Sequence, residues 1–185
     1  MVEGRAKGSL FVQTRRFVGG DAKWRELLAK LPPADQRVLD EPFASNGWYP
    51  VALWNRLMDS FLAREGGPKV TELSRYIAAE DLNIVFKMLL KMGSPEFVLR
   101  RTEAIYLRYF DVGQFVALEQ EPRKWKLTLE GATTREGAPG PVVCAWGVPG
   151  WLTEALVRTG AKGVRVTHAR CRFQGAPKCE FSTSW

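Results

Sequence analysis

The hydrophobic period of the chain changes once, at Asp111-Val-Gly113, and this change constrains the fold more than any other feature. Before it, apolar side chains recur at helical spacing, and after it they alternate with polar ones, as in strands with one buried face. A chain of 185 residues suits one domain with a substantial core. We therefore expect one α+β domain over residues 1–185, with helices at about 20–110 packed on an antiparallel sheet at about 111–185.

The segments near the N-terminus are short and less regular. Residues 8–18 are rich in β-forming side chains and predict a strand, or a strand that runs into a helix. Asp21 can cap a short helix over residues 22–31, which Pro32-Pro33 ends. A second short helix is predicted over residues 34–39.

Three longer helices follow. Trp48-Tyr-Pro50 opens the first, with Pro50 suited to its first turn, and Gly66-Gly-Pro68 stops it. Helical sequence resumes over residues 71–92, with so many apolar positions that much of it should be buried. Ser94 is a candidate N-cap for the last helix, which we expect to run to about Phe110.

The second part of the chain predicts an antiparallel sheet with one embedded helix. Residues 115–118 and 125–129 form a strand pair that turns at Glu121-Pro122, with Trp125, Leu127 and Leu129 facing inward. A short helix is predicted over 151–159, with Trp151, Leu152, Ala155 and Leu156 facing inward. Two further strands, over 164–173 and 179–185, close the chain.

All three cysteines and the only histidine lie near the C-terminus, in the order Cys144, His168, Cys171 and Cys179. Three thiols and one imidazole are a complete tetrahedral ligand set for zinc. A turn at residues 174–177 would bring Cys171 and Cys179 together, and Cys144 would reach them from a neighbouring strand. Strand parity opposes the site, because His168 and Cys171 need a bulge to aim together. The alternative is that all four are ordinary core and turn residues.

The pattern Cys-x-Trp-x2-Pro-Gly from Cys144, then His-x2-Cys from His168, then Cys-x-Phe from Cys179 resembles the C-terminal motif of the 4-vinyl reductase domain family. More diffusely, Lys-Gly-x-Leu-Phe from Lys7 and Trp-Tyr-Pro-x3-Trp from Trp48 make the chain similar to an uncharacterised paralogous family best known from myxobacteria. The first resemblance implies a small-molecule sensor with a structural Zn²⁺ held by Cys144, His168, Cys171 and Cys179. His168 stands where that family has an acidic ligand.

Composition excludes several classes of protein. The chain is 45% hydrophobic and 25% charged, as ordinary globular proteins are. Its apolar runs are too short to span a membrane, and no signal segment opens it, so we expect a cytoplasmic protein with reduced thiols. The net charge of +7 is spread along the chain, without a basic block or nucleic-acid-binding motif, and indicates a solvated surface rather than a nucleic-acid partner.

No catalytic set is apparent, so we expect a protein that is not an enzyme. One histidine cannot be both a metal ligand and a general base, and the sequence has no nucleophile elbow, phosphate loop or dinucleotide fingerprint. Two functions remain. The first is a sensory domain whose small apolar or aromatic ligand lies between the helices and the sheet, near Trp54, Phe86, Tyr106 and Trp125. The second is a dimeric adaptor that acts through protein–protein contacts alone.

A homodimer is expected in either case. The resemblance implies it, and the seven tryptophans favour it, because tryptophan often anchors protein interfaces.

Overall fold

A computed structural model of the chain describes residues 3–86, 94–131 and 137–185, the side chains of residues 83–86 excepted. A two-stranded antiparallel ribbon opens it, formed by β1 (Arg5–Lys7) and β2 (Trp48–Pro50). Ala6 pairs with Tyr49 at the centre of this ribbon. The prediction of a helix opening at Trp48 is therefore wrong by three residues, because residues 48–50 pair as a strand before the helix begins.

Seven helices lie within the described part of the first half. They are α1 (Gly8–Val18), α2 (Asp21–Leu28), α3 (Pro33–Asp40), α4 (Val51–Glu65), α5 (Gly67–Phe86), α6 (Pro95–Leu99) and α7 (Thr102–Tyr106). The strand predicted over residues 8–18 is a helix, and the extended segment that runs into it is β1. Its β-forming side chains are overridden by packing, since Leu10, Phe11 and Thr14 form one buried helical face.

The junction between α4 and α5 is tighter than the sequence indicated. Gly66 ends α4 with a φ of 82°, a value that favours glycine, and α5 begins at the next residue rather than at Thr71. A Cβ on Gly67 would lie 2.4 Å from the Trp146 ring, so the glycine permits close packing here. The end of the helix predicted over 71–92 lies outside the described residues.

The last predicted helix is capped as expected but is interrupted. The Ser94 hydroxyl accepts a hydrogen bond from the Phe97 backbone N–H at 3.3 Å, which starts α6. Arg101, at φ −110° and ψ 8°, leaves the helical conformation and separates α6 from α7. Tyr109 and Phe110 follow α7 in a turn, and both are buried.

The second half contains a four-stranded antiparallel sheet in the order β3-β4-β6-β5. Its strands are β3 (Gln114–Glu121), β4 (Lys124–Glu130), β5 (Arg165–Arg170) and β6 (Cys179–Ser184). Trp125, Leu127 and Leu129 are buried as predicted, because the inward positions of β4 face the helices. β5 is shorter than predicted, since a 3₁₀ turn (Arg172–Gln174) begins just after it.

A helical segment, not a strand, precedes the last two strands. A π-helical turn (Val143–Gly147) leads into α8 (Val148–Arg158). Cys144 lies in that turn, so the prediction that it reaches its neighbours from a strand is wrong. Its N–H bonds the Gly140 carbonyl at 3.1 Å. The apolar run that contains Cys144 is helical rather than extended because it packs against α5. In α8, Gly150 allows a close approach to the Thr71 carbonyl of α5.

The helices and the sheet share one main hydrophobic core, which includes Phe11, Trp54, Phe115 and Phe181. This confirms an α+β fold with N-terminal helices packed on an antiparallel sheet. No helix of the described residues is both long and apolar enough to cross a membrane.

Candidate functional site

An apolar cavity of about 90 Å³ lies between the helical half and the sheet half. Its walls come from both halves. The lining side chains are Leu10, Trp54, Ser74, Ile77, Thr102, Ile105, Tyr106, Tyr109, Phe110, Phe115, Leu129, Pro139, Val143, Val148, Trp151 and Leu152, with Gly147 between them. A group bound here would contact α1, α4, α5, α7, β3, β4 and α8 at once.

Most polar groups of the wall are already bonded to the protein. The Tyr106 hydroxyl donates to the Val112 carbonyl at 2.8 Å, and the Thr102 hydroxyl donates to the Leu99 carbonyl. The Tyr109 hydroxyl donates to Asp81 at 2.6 Å and accepts from the Trp151 indole N–H at 3.1 Å. Burial raises the pKa of both tyrosines, so each stays a neutral phenol.

The indole of Trp54 is a further polar group among the residues of the wall. Trp54 is 3% exposed, and its indole Nε1 has no hydrogen-bond partner among the described residues. A buried N–H without an acceptor costs about 1–3 kcal/mol. Its ring packs edge-on against Phe11, with the ring centroids 5.3 Å apart. The wall therefore retains one donor that an acceptor of suitable geometry could satisfy.

The four aromatic residues predicted to bind a ligand are placed differently. Trp54 and Tyr106 line the cavity. Trp125 is buried on β4 but is not part of the lining, and the Arg100 guanidinium lies 5.2 Å from its ring centre. The Phe86 side chain lies outside the described part of the structure. A ligand-binding role for each of these residues stays a prediction.

Two lining residues, Tyr109 and Phe110, were not predicted, although the sequence offers a pattern for them. They stand three and four positions after Tyr106, the spacing of one helical face. Trp151 and Leu152 had been predicted to face inward on a short helix, but only as core. A pattern of this kind does not distinguish a filled core from one that leaves a cavity.

The cysteine and histidine residues form a second cluster at the edge of the sheet. One ligand atom from each of His168, Cys171 and Cys179 lies within 4.8 Å of the other two. The Cys144 sulfur lies 3.6 Å from that of Cys179. The pairing of β5 with β6 is irregular between His168 and Arg170, which supplies the bulge that strand parity required. A metal-binding role for these four residues stays a prediction.

The negative charge of this cluster lies on the sulfur of Cys179. The Cys144 thiol, with His168 and the Arg172 guanidinium nearby, lowers the pKa of Cys179 to about 4. The Arg172 guanidinium lies 3.8 Å from that sulfur and also donates to the Pro139 carbonyl at 2.5 Å. The hydrogen bond with Cys179 and burial raise the pKa of Cys144. Near neutral pH the cluster therefore holds one thiolate beside neutral thiols.

Because Cys179 is a thiolate in the folded protein, we expect the stability of the protein to depend on pH. Folding lowers the pKa of Cys179, so its contribution is complete above the pKa of an ordinary thiol and is lost as the pH falls through about 4. Between pH 5.5 and 8 the unfolding free energy should therefore rise as the pH rises. Urea unfolding in a reducing buffer measures it. Cys179→Ser should flatten the slope, whereas Thr183→Ser on the same strand should keep it; equal slopes in wild type and Cys179→Ser would contradict the assignment.

The fold is similar to those of several solved structures. An H-NOX protein from S. oneidensis, described in its Fe(II)NO ligation state, matches with a TM-score of 0.71 and 16% identity, over 96% of this chain and 98% of that one. An Fe(II) unliganded H-NOX mutant from K. algicida matches with a TM-score of 0.70 and 11% identity, over 96% and 95%. No protein-family model matches the chain, and no curated protein does.

These comparisons correct two expectations. The structural neighbours are H-NOX domains rather than 4-vinyl reductase domains, so the resemblance inferred from the C-terminal motif is wrong as a guide to the family. The prediction of Zn²⁺ as the cofactor is also contradicted, because the neighbours are described by heme iron and its ligation states. A short motif of cysteines and one histidine shows which atoms converge, but it does not determine the fold around them.

The described residues do not fit heme in the cavity. Proteins hold heme iron through His, Cys, Met or Tyr side chains. The only histidine, His168, is absent from the cavity lining, and its ring stacks on Phe181 at 4.6 Å between centroids. Of the lining residues, only Tyr106 and Tyr109 belong to these types, and both hydroxyls are engaged at raised pKa. The volume of about 90 Å³ is also well below the roughly 300–1,000 Å³ of small-molecule and cofactor pockets.

Proposed function

We propose that this chain is a non-enzymatic sensory domain that binds a small apolar molecule in the cavity, without heme. The observation that carries the proposal is the cavity itself, which is lined by apolar side chains of both halves. A dry apolar cavity of about 150 Å³ can bind benzene or xenon. The present cavity, at about 90 Å³, suits xenon or a short hydrocarbon group.

The chemistry of the wall supports binding rather than catalysis. Catalysis needs a positioned acid, base or nucleophile, and the lining offers only two neutral phenols as titratable groups. Both are bonded within the protein. The H-NOX neighbours, described with NO or CO on their iron, support the idea that this fold can serve as a small-molecule receptor. Here the cavity would take the ligand directly.

Occupancy of the cavity would be transmitted because its wall joins the two halves. Asn55, next to Trp54 on α4, donates to the Ala138 carbonyl at 2.8 Å and accepts from the Gly140 N–H at 2.7 Å. Pro139 lies between these two residues, lines the cavity and bonds Arg172. A ligand that moves Pro139 would shift α4 and, through Arg172, the cluster around Cys179, which is a physical route from the cavity to the cysteines.

A cavity-filling substitution tests the proposal. Leu152 lines the cavity and is 1% exposed, so Leu152→Phe should fill the space from α8. Wild type should gain about 2–3 kcal/mol of unfolding free energy when cyclopentane is present at about 100 times its dissociation constant. Leu152→Phe should lose most of that gain while remaining folded. Chemical unfolding with and without cyclopentane is the measurement.

The matched control is Leu118→Phe, which makes the same change on the outer face of the sheet, where Leu118 is 56% exposed. It should respond to cyclopentane as wild type does. The absence of any stabilisation in wild type, with cyclopentane or xenon, would refute the proposal. The predicted homodimer and its protein partners stay predictions, as does an adaptor role.

A further inference from the structure

A second, more polar cleft of about 470 Å³ lies next to the cavity. We call it the outer cleft. It is lined by Lys7, Ser9, Trp48, Asp81, Leu82, Ile105, Leu107, Arg108, Tyr109 and Trp151. Unlike the cavity, it has the volume typical of a small-molecule site. Its walls come from β1, α1, β2, α5, α8 and the segment around α7.

The outer cleft and the cavity share one wall. Ile105, Tyr109 and Trp151 line both spaces. The last two form an edge-to-face pair with centroids 6.2 Å apart, and the Trp151 indole donates to the Tyr109 hydroxyl at 3.1 Å. These three side chains are therefore common to both spaces. A ligand that spans the two spaces would have to displace the aromatic pair.

Charge in the outer cleft favours an anion. Both oxygens of Asp81 already accept hydrogen bonds, one from the Gln13 amide at 2.5 Å and one from the Tyr109 hydroxyl at 2.6 Å. Lys7 and Arg108 contribute two positive charges, and neither forms an ion pair within the described part of the chain. The Lys7 ammonium bonds the Asn46 carbonyl at 2.8 Å and lies 4.4 Å from the Trp48 ring centre. The lining of the outer cleft thus contains one carboxylate, with both oxygens engaged, and two cations.

We propose that the outer cleft is a second subsite, which binds the carboxylate of a short-chain amphiphile whose apolar tail occupies the cavity. This inference rests on the proposed function and specifies its ligand class. The tail would displace the Tyr109–Trp151 pair, and the head group would pair with Lys7 and Arg108. An amine head group is disfavoured, because it would meet the two cations and an acid whose oxygens are already engaged.

Pentanoate and 1-pentanol test this proposal, because they share a tail of similar length and differ in head-group charge. Calorimetric titration at low salt should show pentanoate binding about tenfold more tightly than 1-pentanol. Arg108→Gln and Lys7→Gln should each weaken pentanoate binding roughly threefold, and the double variant should remove its advantage. Binding of 1-pentanol should not change. Lys162→Gln, an exposed cation after α8, is the matched control and should behave as wild type.

The outcomes separate the two proposals. If 1-pentanol binds and Leu152→Phe abolishes that binding, but pentanoate gains nothing, the second subsite is refuted and the cavity stands. If pentanoate binds through Lys7 and Arg108 but Leu152→Phe leaves its affinity unchanged, the link between cleft and cavity is refuted. If neither compound nor xenon binds, the proposed function fails. Circular dichroism establishes whether each variant is folded. If the double variant is unfolded, the test of the second subsite rests on Arg108→Gln alone.

Discussion

Asn55→Ala should destabilise the protein by about 2–5 kcal/mol, which is a large share of the stability of a single domain. Asn55 is 4% exposed, and its amide bonds the backbone on both sides of Pro139. Alanine would leave the Ala138 carbonyl and the Gly140 N–H buried without this partner. Each such group costs about 1–3 kcal/mol, because no water replaces the lost bond. Urea unfolding measures the effect.

Ser60→Ala on the same helix is the matched control. The Ser60 hydroxyl makes one hydrogen bond, to the Leu27 carbonyl at 2.8 Å, so its loss should cost only about 1 kcal/mol. Asn55→Ala should also weaken the binding of cyclopentane, because the cavity wall at Pro139 would lose its support. Equal stabilities of the two variants would contradict the assigned role of Asn55 as the connection between α4 and the sheet half.

The second large effect concerns heme. Protein produced in heme-replete cells should carry far less than one equivalent, and added hemin should give no stoichiometric Soret band that shifts with NO. The reason is the donor set, since the described lining offers iron only two engaged tyrosines and the single histidine lies in the cysteine cluster. Absorption spectroscopy against a heme standard is the measurement.

Two variants distinguish heme bound at His168 from heme bound in the cavity. Adventitious heme held by His168 should be lost in His168→Ala and retained in Leu152→Phe. Heme in the cavity should show the opposite pattern. One equivalent of heme that survives His168→Ala and is lost in Leu152→Phe would overturn the proposal of a heme-free receptor.

The parts of the fold that follow from local chemistry were predictable. Ser94 caps a helix because its hydroxyl can reach the N–H three residues on, and that requires no distant contact. Alternation over Trp125, Leu127 and Leu129 places the inward face of β4 because neighbouring side chains of any strand point to opposite faces. The change of period at Asp111 placed the start of the sheet, since β3 begins at Gln114.

Features that depend on tertiary packing were not predictable in this way. α1 is a helix despite its β-forming residues, because Leu10 and Phe11 complete a core that other elements create. Cys144 joins its partners from a π-helical turn, a rare local structure that no pattern in the sequence indicates. The cavity is harder to predict from the sequence, because it depends on the gap that remains between packed side chains of six or more elements.

At the cysteines, the prediction that the side chains converge and the prediction of the family had different outcomes. Convergence of His168, Cys171 and Cys179 required only a hairpin and a bulge, both of which are local. The family suggested by that motif was wrong, because a ligand pattern of four residues constrains little of the remaining chain. The fold that surrounds it is instead similar to that of H-NOX domains.

Xenon placed directly in the structure tests the central claim, that the cavity receives small apolar molecules. A crystal of the protein pressurised with xenon should show one strong anomalous peak within van der Waals contact of Leu10, Trp54 and Leu152, and no such peak in Leu152→Phe. Xenon found only elsewhere, or a cavity closed by side chains in the xenon-free crystal, would contradict the account.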